Sequence, residues 1–149
     1  MLERTGILIP NRSELATIAG GAIPQTETEV VALASTLATR WARQGHDVGS
    51  SATVGTDHGI IVTLGADGIL VIDDAGPRHI PARPVEPVDT TGAGDCFCGS
   101  LAGRLAVGDA MPDALAFAMT AAAISVTRAG ASDSMPMADE VAAALDDST

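Results

Sequence analysis

The chain contains no lysine and no tyrosine, and aromatic side chains make up only 2% of its 149 residues. Its eight basic residues are therefore all arginine, set against nineteen Asp and Glu for a net charge of −11. Without lysine there is no P-loop lysine, no Schiff-base amine and no lysine base. The acidic excess repels a phosphate backbone, which argues against nucleic-acid binding, and it disfavours an anionic membrane surface. Cysteine is scarce as well. Cys96 and Cys98 are too few for a disulfide framework. Their C-x-C spacing suits a metal, but His46, His58 and His79 form no ligand pattern with them, which leaves small buried thiols at a helix start. The longest uncharged apolar run, residues 114–127, is too short and too alanine-rich to span a bilayer. Residues 1–4 lack the features of a secretory leader, so the expected setting is the reducing cytoplasm.

What the chain does have is aliphatic. Apolar residues reach 46%, so Ala, Val, Leu and Ile must build the core. One domain is expected at this length, with roughly 68–70% of the unfolded surface buried. Close helix–sheet contacts between small side chains suit a layered α/β domain.

The order of elements supports that class. Residues 6–10 read as the end of a buried strand. Asn11 and Ser13 offer caps to a short helix over 14–18 that Gly20-Gly21 ends. Thr26-Glu-Thr-Glu29 has capping-box spacing. Val30, Leu33, Ala34, Leu37, Ala38 and Trp41 then form one helix face running to about Gln44, with Trp41 read as core. Residues 45–59 are glycine- and serine-rich without periodicity and read as a flexible loop or insertion. Residues 60–64 and 69–73 read as strands of a hairpin around Gly65-Ala-Asp-Gly68. A turn is expected at 74–77, then an extended segment over 78–88 carrying Pro81, Pro84 and Pro87. Helices are expected from about Gly94 to Ala106, over 113–126 behind Pro112, and over 138–145.

The most informative run is Asp89-Thr-Thr-Gly-Ala-Gly-Asp-Cys-Phe97. Two glycines one residue apart, at a helix start, offer bare N–H groups to an anion, and Asp95 puts a carboxylate at the same place. A dinucleotide fingerprint does not fit. The third glycine falls at Gly99, and the preceding residues 84–89 are not a buried strand. On the glycines alone a plain structural turn is the simplest reading.

The longer string resembles the signature of the ribokinase-like (PfkB) family of carbohydrate kinases. Pro10-Asn11-Arg-Ser-Glu14 resembles that family's Asn-x-x-Glu element. Val62-Thr-Leu-Gly65-Ala-Asp-Gly68 resembles its nucleotide-binding turn, and residues 122–131 with Ser134-Met-Pro136 resemble its C-terminal segment. The resemblance implies a three-layer α/β/α fold, of which residues 1–149 would be the C-terminal, nucleotide-side half. The sugar-binding residues and β lid of the family's first half have no counterpart in the sequence. The implied activity is ATP-dependent phosphorylation of a sugar hydroxyl, with Mg²⁺ and K⁺ as cofactors. Phosphoryl transfer asks the protein mainly to position groups and balance charge.

In that frame Asp95 is the base that takes the acceptor hydroxyl's proton, and Gly92, Ala93 and Gly94 form the anion hole. Asn11 and Glu14 organise the Mg²⁺ and phosphate region. Thr63, Leu64, Gly65, Ala66, Asp67 and Gly68 contact ATP together with Gly94 and Asp95, and Met119 lies beside the adenine. Asp89, Thr91, Ser125, Arg128, Gly130 and Ser134 correspond to the monovalent-cation site. Without the family pattern, Asn11 reads as a helix cap and Glu14 as a solvent carboxylate, and Thr63–Gly68 as a hairpin turn. The segment around Arg128 and Ser134 points to ribose first. Fructose, 2-keto-3-deoxygluconate and adenosine are the alternatives, and an inactive nucleotide-holding fragment is the competing reading. Self-association is expected, to cover an open sheet edge and apolar helix faces.

Overall fold

The computed structural model describes residues 6–42, 59–73 and 75–147. They divide between Pro81 and Ala82 into two units, each with its own architecture.

The first unit is a mixed sheet with two helices. Strand β1 (Ile7–Leu8) leads into helix α1 (Arg12–Ala19) and then helix α2 (Glu27–Ala42). Strands β2 (Gly59–Thr63), β3 (Ile69–Asp73) and β4 (Gly76–Ile80) follow. The sheet order is β1-β2-β3-β4, with β1 and β2 parallel and the other pairs antiparallel. Joining parallel β1 and β2 requires a crossover, and α1 and α2 lie on it.

Both helices start as their sequences dictate. The Asn11 side chain accepts from the N–H groups of Ser13 and Glu14, both at 2.9 Å, and the Glu14 carboxylate accepts from the Asn11 N–H at 2.8 Å. That reciprocal box satisfies donors that have no partner inside a helix. Gly20 then closes α1 in the left-handed region at φ 75°. Thr26 and Glu29 cap α2 in the same way. The Glu29 carboxylate takes the N–H groups of Gln25 at 2.7 Å and Thr26 at 3.1 Å. Those two bonds hold the Glu29 carboxyl below its ordinary value.

The α2 periodicity becomes the core. Val30, Ala34, Leu37 and Trp41 pack with Leu15 of α1 and with Ile60, Val62, Leu70 and Ile72 of the sheet. Each buried Val, Leu or Ile side chain in this set contributes about 1.5–3 kcal/mol. The alternate residues Ile61 and Val71 are buried too, so β2 and β3 read as continuous apolar runs rather than alternating ones. β1 is only half-buried, where a buried strand was expected.

One boundary differs from expectation. Gly76 and Pro77 belong to β4, where the sequence suggests a turn; Pro77 pairs with Ile72 on the outermost strand. An edge strand has a side without ladder bonds, so a residue without an N–H is tolerated there. The expected insertion at 45–59 lies outside the described residues, apart from Gly59, the first residue of β2.

The second unit is helical. An extended segment leads to helices α3 (Ala93–Ala106), α4 (Met111–Ser125) and α5 (Ala138–Asp146). Pro112 sits in the first turn of α4, where its missing N–H is harmless. Cys96, Ala121 and Val141 form a buried cluster joining the three helices, with Phe117, Ile124 and Leu145 packed on it. Cys96 is thus a core thiol. Arg104 stacks over the Phe117 ring at 4.8 Å and binds Asp109 at 2.5 Å, tying α3 to α4 and to the loop between them. Among the described residues no helix is long and apolar enough to cross a membrane.

Candidate phosphoryl-transfer site

Each unit holds one group of the residues singled out from the sequence. In residues 1–81 the group gathers at the C-terminal ends of the parallel strands. Asn11 follows β1 and pairs with Thr63 at the end of β2, while the Thr63 N–H donates to the Pro10 carbonyl at 2.9 Å. In open α/β sheets this is where ligands bind. Glu14 joins the set through its bond to Asn11.

The turn after Thr63 is tight. Leu64 N–H donates to the Gly68 carbonyl at 2.8 Å, and Gly68 N–H to the Gly65 carbonyl at 3.1 Å. Both glycines are left-handed, at φ 65° for Gly65 and 99° for Gly68. A side chain is strained there, which accounts for glycine at these positions. Gly65, Ala66 and Asp67 are exposed.

Two residues that the sequence reading passed over hold this turn. Arg12 binds the Asp67 carboxylate at 2.9 Å. Nε2 of His79 lies 2.7 Å from the Asp67 carbonyl oxygen, which makes it the N–H donor. The first contact joins residues 55 positions apart, and no local spacing signals it.

In residues 82–149 the group gathers around the start of α3. Gly92 is the residue before the helix, at φ 78°. A Cβ there would stand 3.3 Å from both Cα and Cβ of Ala131. The position therefore needs glycine twice, for its backbone angle and for the close approach of another segment. Ala93 N–H donates to the Thr90 carbonyl at 3.3 Å, and the first i→i−4 bond runs from Cys96 N–H to the Gly92 carbonyl at 2.8 Å. The N–H groups of Gly94 and Asp95 come before that bond and have no acceptor inside the helix. Around Gly94 there is nothing within 4 Å of where a Cβ would be. The Asp95 carboxylate is exposed and takes no hydrogen bond or ion pair among the described residues. Two N–H groups, open space and an unengaged carboxylate at a positive helix end can receive an anion and a proton side by side.

Asp89 fixes this turn from behind. One carboxylate oxygen accepts from Thr91 N–H at 2.9 Å, and the other from Gly130 N–H at 3.0 Å. The Thr91 hydroxyl, the Thr91 N–H and the Gly130 N–H hold the Asp89 carboxyl below the ordinary aspartate value. The Val126 carbonyl accepts the Val88 and Asp89 N–H groups, at 2.7 and 3.1 Å. The structure thus brings Asp89, Thr91, Gly92 and Gly130 together.

Ser125 ends α4, and its carbonyl accepts the Arg128 N–H at 3.2 Å. Ser134 is buried, with its hydroxyl donating to the Ala131 carbonyl at 2.8 Å. The Arg128 guanidinium pairs with Glu140 at 2.6 Å and so fastens the 126–134 loop to the start of α5. That pairing raises the Arg128 value and lowers that of Glu140. Met119 lies half-buried within α4.

Comparison with known proteins gives this geometry a family. The model for the pfkB family carbohydrate kinases matches residues 1–138. Ribokinase of Haemophilus influenzae is 31% identical over 140 residues, 94% of this chain and 40% of that protein. Among solved structures, Thermotoga maritima ribokinase superposes with a TM-score of 0.76 at 32% identity, over 97% of this chain and 43% of the other. Arabidopsis thaliana ribokinase, solved with ribose and ATP, gives a TM-score of 0.75 at 27% identity, over 97% and 42%. The chain therefore spans less than half the length of these relatives. These likenesses show the ribokinase-like α/β fold, and the chain belongs to the pfkB family of carbohydrate kinases.

Proposed function

We propose that this chain carries the nucleotide-side and catalytic part of a kinase that moves the γ-phosphoryl group of ATP to a sugar hydroxyl, with ribose as the preferred acceptor. The observation that carries the reading is the start of α3, with its unpartnered N–H groups, empty space at Gly94 and unengaged Asp95 carboxylate. Gly92, Ala93 and Gly94 form the anion-hole turn; the Ala93 N–H is turned to the Thr90 carbonyl, and the open N–H groups of Gly94 and Asp95 face charge that grows as the phosphoryl group transfers. Asp95 accepts the proton of the attacking hydroxyl. Thr63–Gly68 cradles the nucleotide, and Met119 packs on the adenine.

Mg²⁺ in such sites is held largely by substrate phosphates and water, with one or two carboxylates. Glu14 fits that need, since one of its oxygens is bound to the Asn11 N–H and the other takes no partner among the described residues. Among the described residues no group of three or more His, Cys, Asp or Glu could hold a metal by itself. Asp89, Thr91, Ser134 and the carbonyls of Ser125, Arg128 and Gly130 are all hard oxygen donors with a single negative charge. That chemistry suits a hard cation such as K⁺. When bound, the cation would brace the turn that carries Gly92, without touching the sugar.

The test is ADP release from Mg-ATP with ribose, paired with calorimetry of Mg-ATP binding. Asp95→Asn should lose about 10²–10⁴-fold in turnover, the usual contribution of a positioned base, with its melting temperature unchanged. Turnover within twofold of the unaltered chain would remove Asp95 from the role of base. No heat with Mg-ATP would remove the nucleotide site. A second reading, nucleotide binding without turnover, rests on the chain matching 40% of the Haemophilus ribokinase. Its signature is a binding isotherm with no ADP released.

A further inference from the structure

Arg12 and His79 each bridge the same two segments. Arg12, in the first turn of α1, binds the Asp67 carboxylate at 2.9 Å with one nitrogen and the Gln25 carbonyl at 3.0 Å with another. His79, on β4, donates from Nε2 to the Asp67 carbonyl at 2.7 Å, and its Nδ1 faces a Glu27 carboxylate oxygen at 3.5 Å. Arg12 thus links Gln25 to Asp67, and His79, bound to Asp67, lies beside Glu27 of the same 25–27 segment, which its Nδ1 bonds when the ring is protonated.

The placement follows from sheet register. His79 pairs with Leu70, and Leu70 belongs to the core beneath α1 and α2. Paired residues share a sheet face, so His79 points toward the helices, while Arg78 beside it pairs with Val71 on the opposite face and binds Asp73. Among the described residues no other basic side chain of the unit is bound to the turn: Arg40 donates to the Ala19 carbonyl at the end of α1, and Arg78 binds Asp73. Asp67 is therefore held twice, once by its carboxylate and once by its carbonyl, from two elements anchored on one segment. It is the last residue of the exposed turn between the two left-handed glycines.

We infer that Arg12 and His79 act as positioning residues that lock the 65–68 turn in its nucleotide-receiving shape, without touching the nucleotide. This rests on the reading of that turn as the ATP site. A turn with two left-handed glycines has many alternative conformations once released. Two bonds on one residue remove them before the ligand arrives, and preorganisation raises affinity by cutting the ordering cost of binding.

The test compares Mg-ATP dissociation constants by calorimetry for the unaltered chain, Arg12→Gln, His79→Ala and the double variant. Arg12→Lys is added because its amine still reaches Asp67, and Arg40→Gln serves as a control away from the turn. Hydrogen exchange at residues 64–68 is followed without ligand. Each single variant should bind about three- to tenfold more weakly. The double variant should lose less than the product of the two, because both restrain one residue. Arg12→Lys should recover part of the loss, and Arg40→Gln should bind as the unaltered chain does. Exchange at 64–68 should rise in the weakened variants while melting temperatures move by a degree or two. Equal affinities across the set would overturn the clamp and leave the ATP site standing. Failure of the unaltered chain to bind Mg-ATP would overturn the ATP reading and the clamp with it.

Discussion

Two glycines two residues apart should respond to the same substitution in opposite ways. At Gly92 an alanine meets a left-handed backbone angle, φ 78°, and a Cβ 3.3 Å from two atoms of Ala131. The backbone angle alone costs about 1–2 kcal/mol. The contact demands a further shift of a few tenths of an ångström in another backbone segment, which brings the total to about 2–3 kcal/mol. For a chain of this length that is a fall of roughly 5–10 °C in melting temperature. At Gly94 the new methyl meets nothing within 4 Å and the residue is already in the helix. Alanine there should leave stability unchanged or raise it by up to ~1 kcal/mol through helix propensity. The same methyl, however, stands in the space proposed for the transferring phosphate. Gly94→Ala should therefore melt at the native temperature or up to about 3 °C above it. Its affinity for Mg-ATP should fall by about fivefold or more, roughly 1 kcal/mol. Thermal melts and calorimetry on the two variants separate the effects. A Gly94→Ala chain that binds Mg-ATP as tightly as the unaltered chain would refute the anion-hole assignment. A Gly92→Ala chain of native stability would refute the account of the turn.

Two further outcomes test the supports of the site. Asp89→Asn keeps the shape but replaces one of two accepting oxygens, so its melting temperature should lie below that of the unaltered chain near pH 7. Because folding lowers the Asp89 value, its stabilisation is present above the unfolded value of about 3.8 and is lost as pH falls through the lower folded value. The gap between the two chains should therefore narrow below about pH 4; a gap constant from pH 7 to pH 3 would deny the carboxylate its role. Asn11→Ala removes the side-chain acceptor of the α1 cap while keeping the backbone N–H that Glu14 takes, and should cost about 0.5–2 kcal/mol, read as a lower urea midpoint with an unchanged slope.

Local signals carried most of the fold. Asn11 announced one helix start and Thr26 with Glu29 another, because a cap is satisfied within four residues, although the part Glu14 plays in the first was not read from the sequence. The Val30-to-Trp41 face announced the core for the same reason of short range. β4 was obscured by Pro77, whose meaning depends on whether its strand lies at an edge, a property of the whole sheet. The glycine turn at 92–94 could be seen as a turn, but not why Gly92 is obligatory there, since Ala131 stands against it from 39 positions away. The Arg12–Asp67 and His79–Asp67 contacts were illegible for a related reason. Arginine and histidine on a surface have many possible partners, and only the folded register selects one.

The contact between Gly92 and Ala131 has a consequence for how such a turn can change over generations. Gly92 brings no side chain to this contact and Ala131 only a methyl, which leaves little to trim or enlarge. The loop at 126–134 and the turn at 89–94 must therefore alter together or not at all. A change that re-aims one has to be matched at once by a change in the other. New ligand preferences should accordingly arise from substitutions elsewhere, with this pair of segments inherited as a block.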